Sequence, residues 1–156
     1  MKWKALLPII ILITFSLIVR IVYAQFRPDP AIVTDSFGYY SIGAGILENP
    51  KPELFINKYR TPGYPVFIAG ITKLTTLSKQ LTREDLYSAS TTIVWIQIIF
   101  GILSVLLCYV TLQVFNVSKS IAFVTSILIS GNIFVFGWER TILTDSLSFF
   151  LLTLTI

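Results

Sequence analysis

Hydrophobic positions along this chain fall in long unbroken runs separated by short polar stretches, the pattern of helices that are apolar all round. The first run, 5–26, carries a single charge, Arg20; as a helix it is roughly 33 Å long, enough to cross a ~30 Å hydrocarbon core. A second run covers 88–115 and needs tilt or a protruding end. A tight turn over 116–119 leads to a third span, 120–137. The run 144–156 begins a fourth helix of roughly 20 Å, too short to cross, so the chain is expected to stop inside a span as the N-terminal piece of a longer membrane protein. An all-α transmembrane bundle follows as the fold class.

Between the first two spans lies a polar, proline-studded loop, 27–87. Residues 35–47 form a short helix there, with Phe37, Tyr40, Ala44 and Leu47 on its apolar face; Gly38, Ser41, Gly45 and Glu48 make a small or polar one. Pro50 and Pro52 stop it, because proline disfavours helical geometry in the residue before it. A second helix is expected at 62–77. At roughly 24 Å it is short for a span, so it is an interfacial or re-entrant element.

Composition turns that pattern into a statement about solvent. Of 156 residues, 54% are hydrophobic and 13% charged, with a mean hydropathy of +0.79, too little charge to cover a water-soluble domain. The net charge of +4 is scattered singly through the loops, which favours headgroup contact over a nucleic-acid footprint. Membrane lipids are expected partners and nucleic acid is not. The single cysteine, Cys108, allows no intrachain disulfide, and without histidine any acid–base work falls to carboxylates, tyrosines or lysines.

Lys2 and Lys4 ahead of the first run place the N-terminus in the cytoplasm and the 27–65 segment outside, with Arg20 snorkelling to headgroups near the far end. The competing reading is a signal peptide cleaved after Val22-Tyr23-Ala24; the run is long for that. Thr-Asp-Ser occurs twice, at 34–36 and 144–146. If 62–77 does not cross, Asp35 and Asp145 emerge on the same non-cytoplasmic face; if it does, they fall on opposite faces and share no site.

Candidate chemistry concentrates in the outer loop, where Arg27, Asp29, Asp35, Glu48, Lys51, Glu53, Lys58 and Arg60 lie. Each candidate has a plainer reading beside it. Asp35 and Asp145 are placed to cap the helices they precede. Glu139 and Arg140 read as an interface pair of small value. Lys58 and Arg60 suit lipid phosphate, and Tyr39, Tyr40, Tyr59 and Tyr64 suit an aromatic belt. Gly63, between Pro62 and Pro65, makes the turn back to the membrane.

Taken in order, these features resemble the start of a type C integral-membrane glycosyltransferase, the superfamily of protein O-mannosyltransferases and lipid A aminoarabinose transferases. The resemblance rests on a basic-flanked anchor, then Asp35 with Gly38-Tyr39-Tyr40. It continues with Arg60-Thr61-Pro62-Gly63-Tyr64-Pro65-Val66-Phe67, close to the family's Arg-x-Pro-Gly-Tyr-Pro phrase, and ends with Glu139-Arg140-Thr141-Ile142-Leu143-Thr144-Asp145 at a later span. It implies a plasma-membrane enzyme with its active face outside and a polyprenyl-phosphate sugar as donor; the acceptor is a glycan, lipid or protein. Asp35 matches the family's essential acid and Asp145 a second acidic position, with Glu139 a weaker candidate. For the departing phosphate the expected contacts are Lys58, Arg60 and Arg140, with Tyr64 in the binding set. Carboxylates alone suit a hard cation such as Mg²⁺ or Mn²⁺ at Asp35 and Asp145, but two ligands are too few to assign one. The alternative is a non-enzymatic module: a flippase, a transporter fragment or an assembly subunit.

Overall fold

The computed structural model describes residues 3–56, 60–75 and 83–156. Among them the chain is all-α: α1 (Trp3–Phe26), α2 (Thr34–Glu48), α3 (Pro52–Phe55), α4 (Gly63–Thr75), α5 (Arg83–Val114), α6 (Lys119–Ser130), α7 (Ile133–Phe136), a 3-10 turn (Gly137–Arg140) and α8 (Asp145–Thr155). Among the described residues two helical segments are long and apolar enough to cross a membrane, Leu6–Phe26 and Ser88–Val114. Leu6, Leu7, Ile10, Ile18 and Ile21 all point outward from α1, so hydrocarbon is the solvent that fits this surface.

The chain divides into two compact units. The first holds α1, residues 97–114 of α5, α6, α7, the 3-10 turn and α8. Its core is Leu12 of α1 with Val105 and Tyr109 of α5 and Ala122 of α6. Asn116, with φ 60°, closes the α5–α6 turn in the left-handed region that asparagine tolerates better than most residues. Val117 N–H returns to Leu112 C=O at 2.9 Å, and Ser118 Oγ accepts from Ile121 N–H at 3.4 Å to start α6.

Two expectations fail in this unit. The run 120–137 is not one helix: α6 ends at Gly131, Asn132 caps α7 by accepting from Phe134 N–H at 2.9 Å, and the two parts are bent by 54°. A broken or re-entrant segment replaces the continuous third span. Arg20, expected to snorkel, is instead 3% exposed and paired with Glu139 through two bonds, Nε to Oε2 at 2.6 Å and Nη2 to Oε1 at 2.5 Å. A lone charge in an apolar run is costly to leave unpaired, and the break after Ser130 delivers its partner. Ser16 and Ser130 share a 2.6 Å hydroxyl bond next to the pair, and Arg20 also donates to Ser16 C=O at 3.2 Å.

The second unit holds α2, α3, α4, residues 83–96 of α5 and the strap Thr141–Thr144. The buried face of α2 is Ser36, Tyr39 and Gly43, at i, i+3 and i+7. Phe37, expected on the apolar face, is 66% exposed. The small residues explain the rotation, because they let α4 lie close: a Cβ on Gly43 would stand 3.2 Å from Pro65 C=O. From α4 come the buried Tyr64, Pro65, Ile68, Ala69 and Thr72. As expected from the prolines, α2 stops at Asn49, and Pro52 opens the short α3. Ile142 N–H donates to Ala31 C=O at 3.1 Å and Ser36 Oγ to Ile142 C=O at 2.9 Å, so the strap is tied to the residues that lead into α2.

Candidate functional site

Asp35 and Arg60 meet in the second unit. Asp35 is the second residue of α2, which Val33 precedes, so it is not the cap it was expected to be. The cap interaction comes from Ser36, whose hydroxyl accepts from Val33 N–H at 3.0 Å. Left without a capping duty, the Asp35 carboxylate stands 61% exposed in a first helical turn, where the helix dipole favours negative charge. Arg60 Nη2 donates to Asp35 Oδ1 at 2.7 Å.

The arginine is held from two sides. Tyr39 lies one turn beyond Asp35 on α2, and the Arg60 guanidinium carbon sits 4.6 Å from its ring centroid. Gly38 leaves room for this, since a Cβ there would be 3.3 Å from Arg60 Nε. The Tyr39 ring is set edge-on against Tyr64 with centroids 5.1 Å apart, and Tyr64 is 1% exposed. The belt role considered for Tyr39 and Tyr64 therefore gives way to a structural one. Tyr64 fixes the ring on which Arg60 rests, and the phrase from Arg60 to Pro65 interlocks with the one from Asp35 to Tyr39. Lys58 and Tyr59, also singled out from the sequence, lie outside the described residues.

The Arg60 hydrogen bond, and behind it the arginine's charge, holds the Asp35 carboxyl below the usual carboxylate range. A depressed carboxyl contributes stability that is present above its ordinary value near pH 4 and is lost as pH falls through the lowered one. Arg60→Ala is expected to return the Asp35 carboxyl upward to its ordinary range. Infrared titration with labelled aspartate checks this, and an unchanged titration would mean the pair does not persist in solution.

The remaining candidates belong to the first unit. Asp145 is exposed and is the first residue of α8, a position in the helix and not the cap before it. Glu139 and Arg140 are no surface pair: they are 2% and 7% exposed, and each has its own partner. Glu139 takes Arg20, while its backbone C=O accepts from Gln97 Nε2 at 2.8 Å; Arg140 Nη2 donates to Pro28 C=O. A Cβ on Gly101 would lie 1.9 Å from Glu139 Oε1, so α5 meets the buried pair through a residue with no side chain.

Asp35 and Asp145 thus fall in different compact units. Among the described residues no three or more of His, Cys, Asp and Glu gather as a metal-binding group, and Asp35 already serves Arg60. No known protein family, curated protein or solved structure matches the chain. What fold and site define is a class: an all-α membrane protein carrying an exposed carboxylate–guanidinium pair on an aromatic base.

Proposed function

We propose that this chain is part of a membrane glycosyltransferase that moves a sugar from a polyprenyl phosphate to a lipid, glycan or protein acceptor on the non-cytoplasmic face of the plasma membrane. The observation that carries the reading is the Asp35–Arg60 pair on Tyr39, because it holds together the two charges that this transfer needs. A cation must meet the departing phosphate, and a carboxylate must take the acceptor's proton and face the positive charge that develops at the anomeric carbon.

In the resting pair each charge occupies the other, and a carboxylate held low by an arginine is a weak base. An arriving phosphate offers Arg60 the bidentate partner that guanidinium prefers. As Arg60 turns to it, the Asp35 carboxyl rises toward its ordinary range and becomes the better proton acceptor. The acceptor oxygen then bonds to the anomeric carbon as the carbon–oxygen bond to phosphate breaks. The bonding pair leaves with the phosphate, the proton goes to Asp35, and the sugar configuration inverts. Asp145 is a supporting carboxylate in this scheme.

The full-length protein in liposomes, given a polyprenyl-phosphate hexose with a labelled sugar, is expected to release the lipid phosphate and pass the label on. Movement of the intact donor between leaflets with no release would favour the flippase alternative.

A further inference from the structure

The Tyr40 hydroxyl of α2 is bonded to the Ser90 hydroxyl of α5 at 2.5 Å, and both residues belong to the second unit. Ser90 is the third residue of the apolar segment Ser88–Val114, so the bond holds α2 beside one end of a helix that is long enough to cross the membrane. Trp95 lies five residues further along α5, roughly 7.5 Å deeper at 1.5 Å per residue, and is exposed. An exposed indole on an apolar helix suits the boundary between headgroups and acyl chains, so the flank of α5 below the bond is open to lipid.

The neighbours of Tyr40 on α2 inherit this position. Phe37 precedes Tyr40 by three residues and Val33 precedes Phe37 by four, so the three share one side of the helix. Val33 and Phe37 are both exposed. Asp35 stands two residues before Phe37, roughly 200° round the helix, which puts the carboxylate and its Arg60 partner on the opposite side. Turning Phe37 toward hydrocarbon therefore keeps the exposed charge out of it, the division of faces that an interfacial helix requires. Ser41 and Glu48, exposed further along the Phe37 stripe, confine its apolar part to the start of α2.

We infer that the start of α2 is a membrane-docking surface: Val33 and Phe37 are seated in the leaflet at the Ser88 end of α5, among the headgroups and the upper acyl carbons. Lipid is the occupant because this side of α2 continues the lipid-bathed flank of α5 to which Tyr40 ties it. A phenylalanine ring moved from water to that depth gains hydrocarbon contact and has no polar group to desolvate. The docking also accounts for Phe37, whose spacing placed it on an apolar face and whose side chain the described chain leaves exposed. It stands on the second unit alone and does not require the transfer reaction.

The test uses the full-length protein in phosphatidylcholine nanodiscs with its native tryptophans, Trp3, Trp95 and Trp138 included, replaced by phenylalanine. Phe37→Trp then supplies the one fluorescent indole. Its emission is compared between discs of plain lipid and discs of lipid brominated near the top of the acyl chains, and is titrated with aqueous iodide. Bromine is expected to lower the emission roughly twofold or more while iodide leaves it almost unaltered, as for a side chain roughly 5–10 Å below the headgroup surface. An indole that iodide quenches and bromine does not sits in water. One shielded from both is covered by protein, whether another part of this chain or a second copy. Either result would overturn the inference. Val33→Trp, at the other exposed position, is read in the same way should Phe37→Trp fail to insert.

Discussion

Glu139→Ala is expected to destabilise the protein by roughly 3–5 kcal/mol, the usual cost of removing one partner from a buried ion pair. The reason is what remains. Arg20 would keep its charge in an apolar bundle at 3% exposure, with Ser16 C=O and Ser130 Oγ as its remaining acceptors among the described residues. Gly101→Ala should act in the same direction without touching either charge, because the new methyl would occupy the place of Glu139 Oε1. Removing both charges together, as Arg20→Met with Glu139→Met, is expected to recover most of the loss, since apolar replacement of a whole pair is often neutral. Unfolding free energies in detergent of Glu139→Ala and Gly101→Ala, together with a double-mutant cycle of wild type, Arg20→Met, Glu139→Met and the double variant, check this. A Glu139→Ala cost under roughly 1 kcal/mol would mean that water or lipid headgroups reach Arg20 after all.

The second large effect is functional. In the full-length protein Asp35→Asn is expected to reduce sugar transfer by roughly a hundredfold to ten-thousandfold, the usual contribution of a positioned acid or base. Asparagine is the informative replacement. It keeps the shape, tolerates the first turn of a helix and can still accept a bond from Arg60, so folding and insertion should persist. What it loses is the ability to accept a proton. Asp35→Asn with unimpaired transfer would remove Asp35 from the chemistry and leave the pair as a lock between α2 and the residues that lead into α4.

Several features could be read from residues alone because they are local. Long apolar runs specify α1 and α5, and the prolines after Glu48 end α2. Asp35 and Arg60 stood out as charges in an apolar chain, yet nothing in their 25-residue separation said that they touch. The break in the third span did have a signal: Gly131 followed by Asn132 is a helix end followed by a helix start. The apolar residues on both sides masked it, because hydropathy averages over the very positions where the backbone turns. The partnership of Arg20 with Glu139 has no local trace at a separation of 119 residues. A charge with no neighbour of opposite sign nearby in the chain nonetheless demands one in space, and that demand was visible. The burial of Tyr64 was not, since an aromatic near a membrane surface reads the same whether it anchors in headgroups or in protein.

Sugar transfer as proposed requires both Thr-Asp-Ser segments to open to the same, non-cytoplasmic side. In a background with Cys108 replaced by alanine, single cysteines at Thr34 and Thr144 stand immediately before the two aspartates. A membrane-impermeant maleimide applied to intact right-side-out vesicles should label both from outside and neither from within. Labelling of the two positions from opposite compartments would contradict the account, because two carboxylates divided by a bilayer cannot serve one sugar.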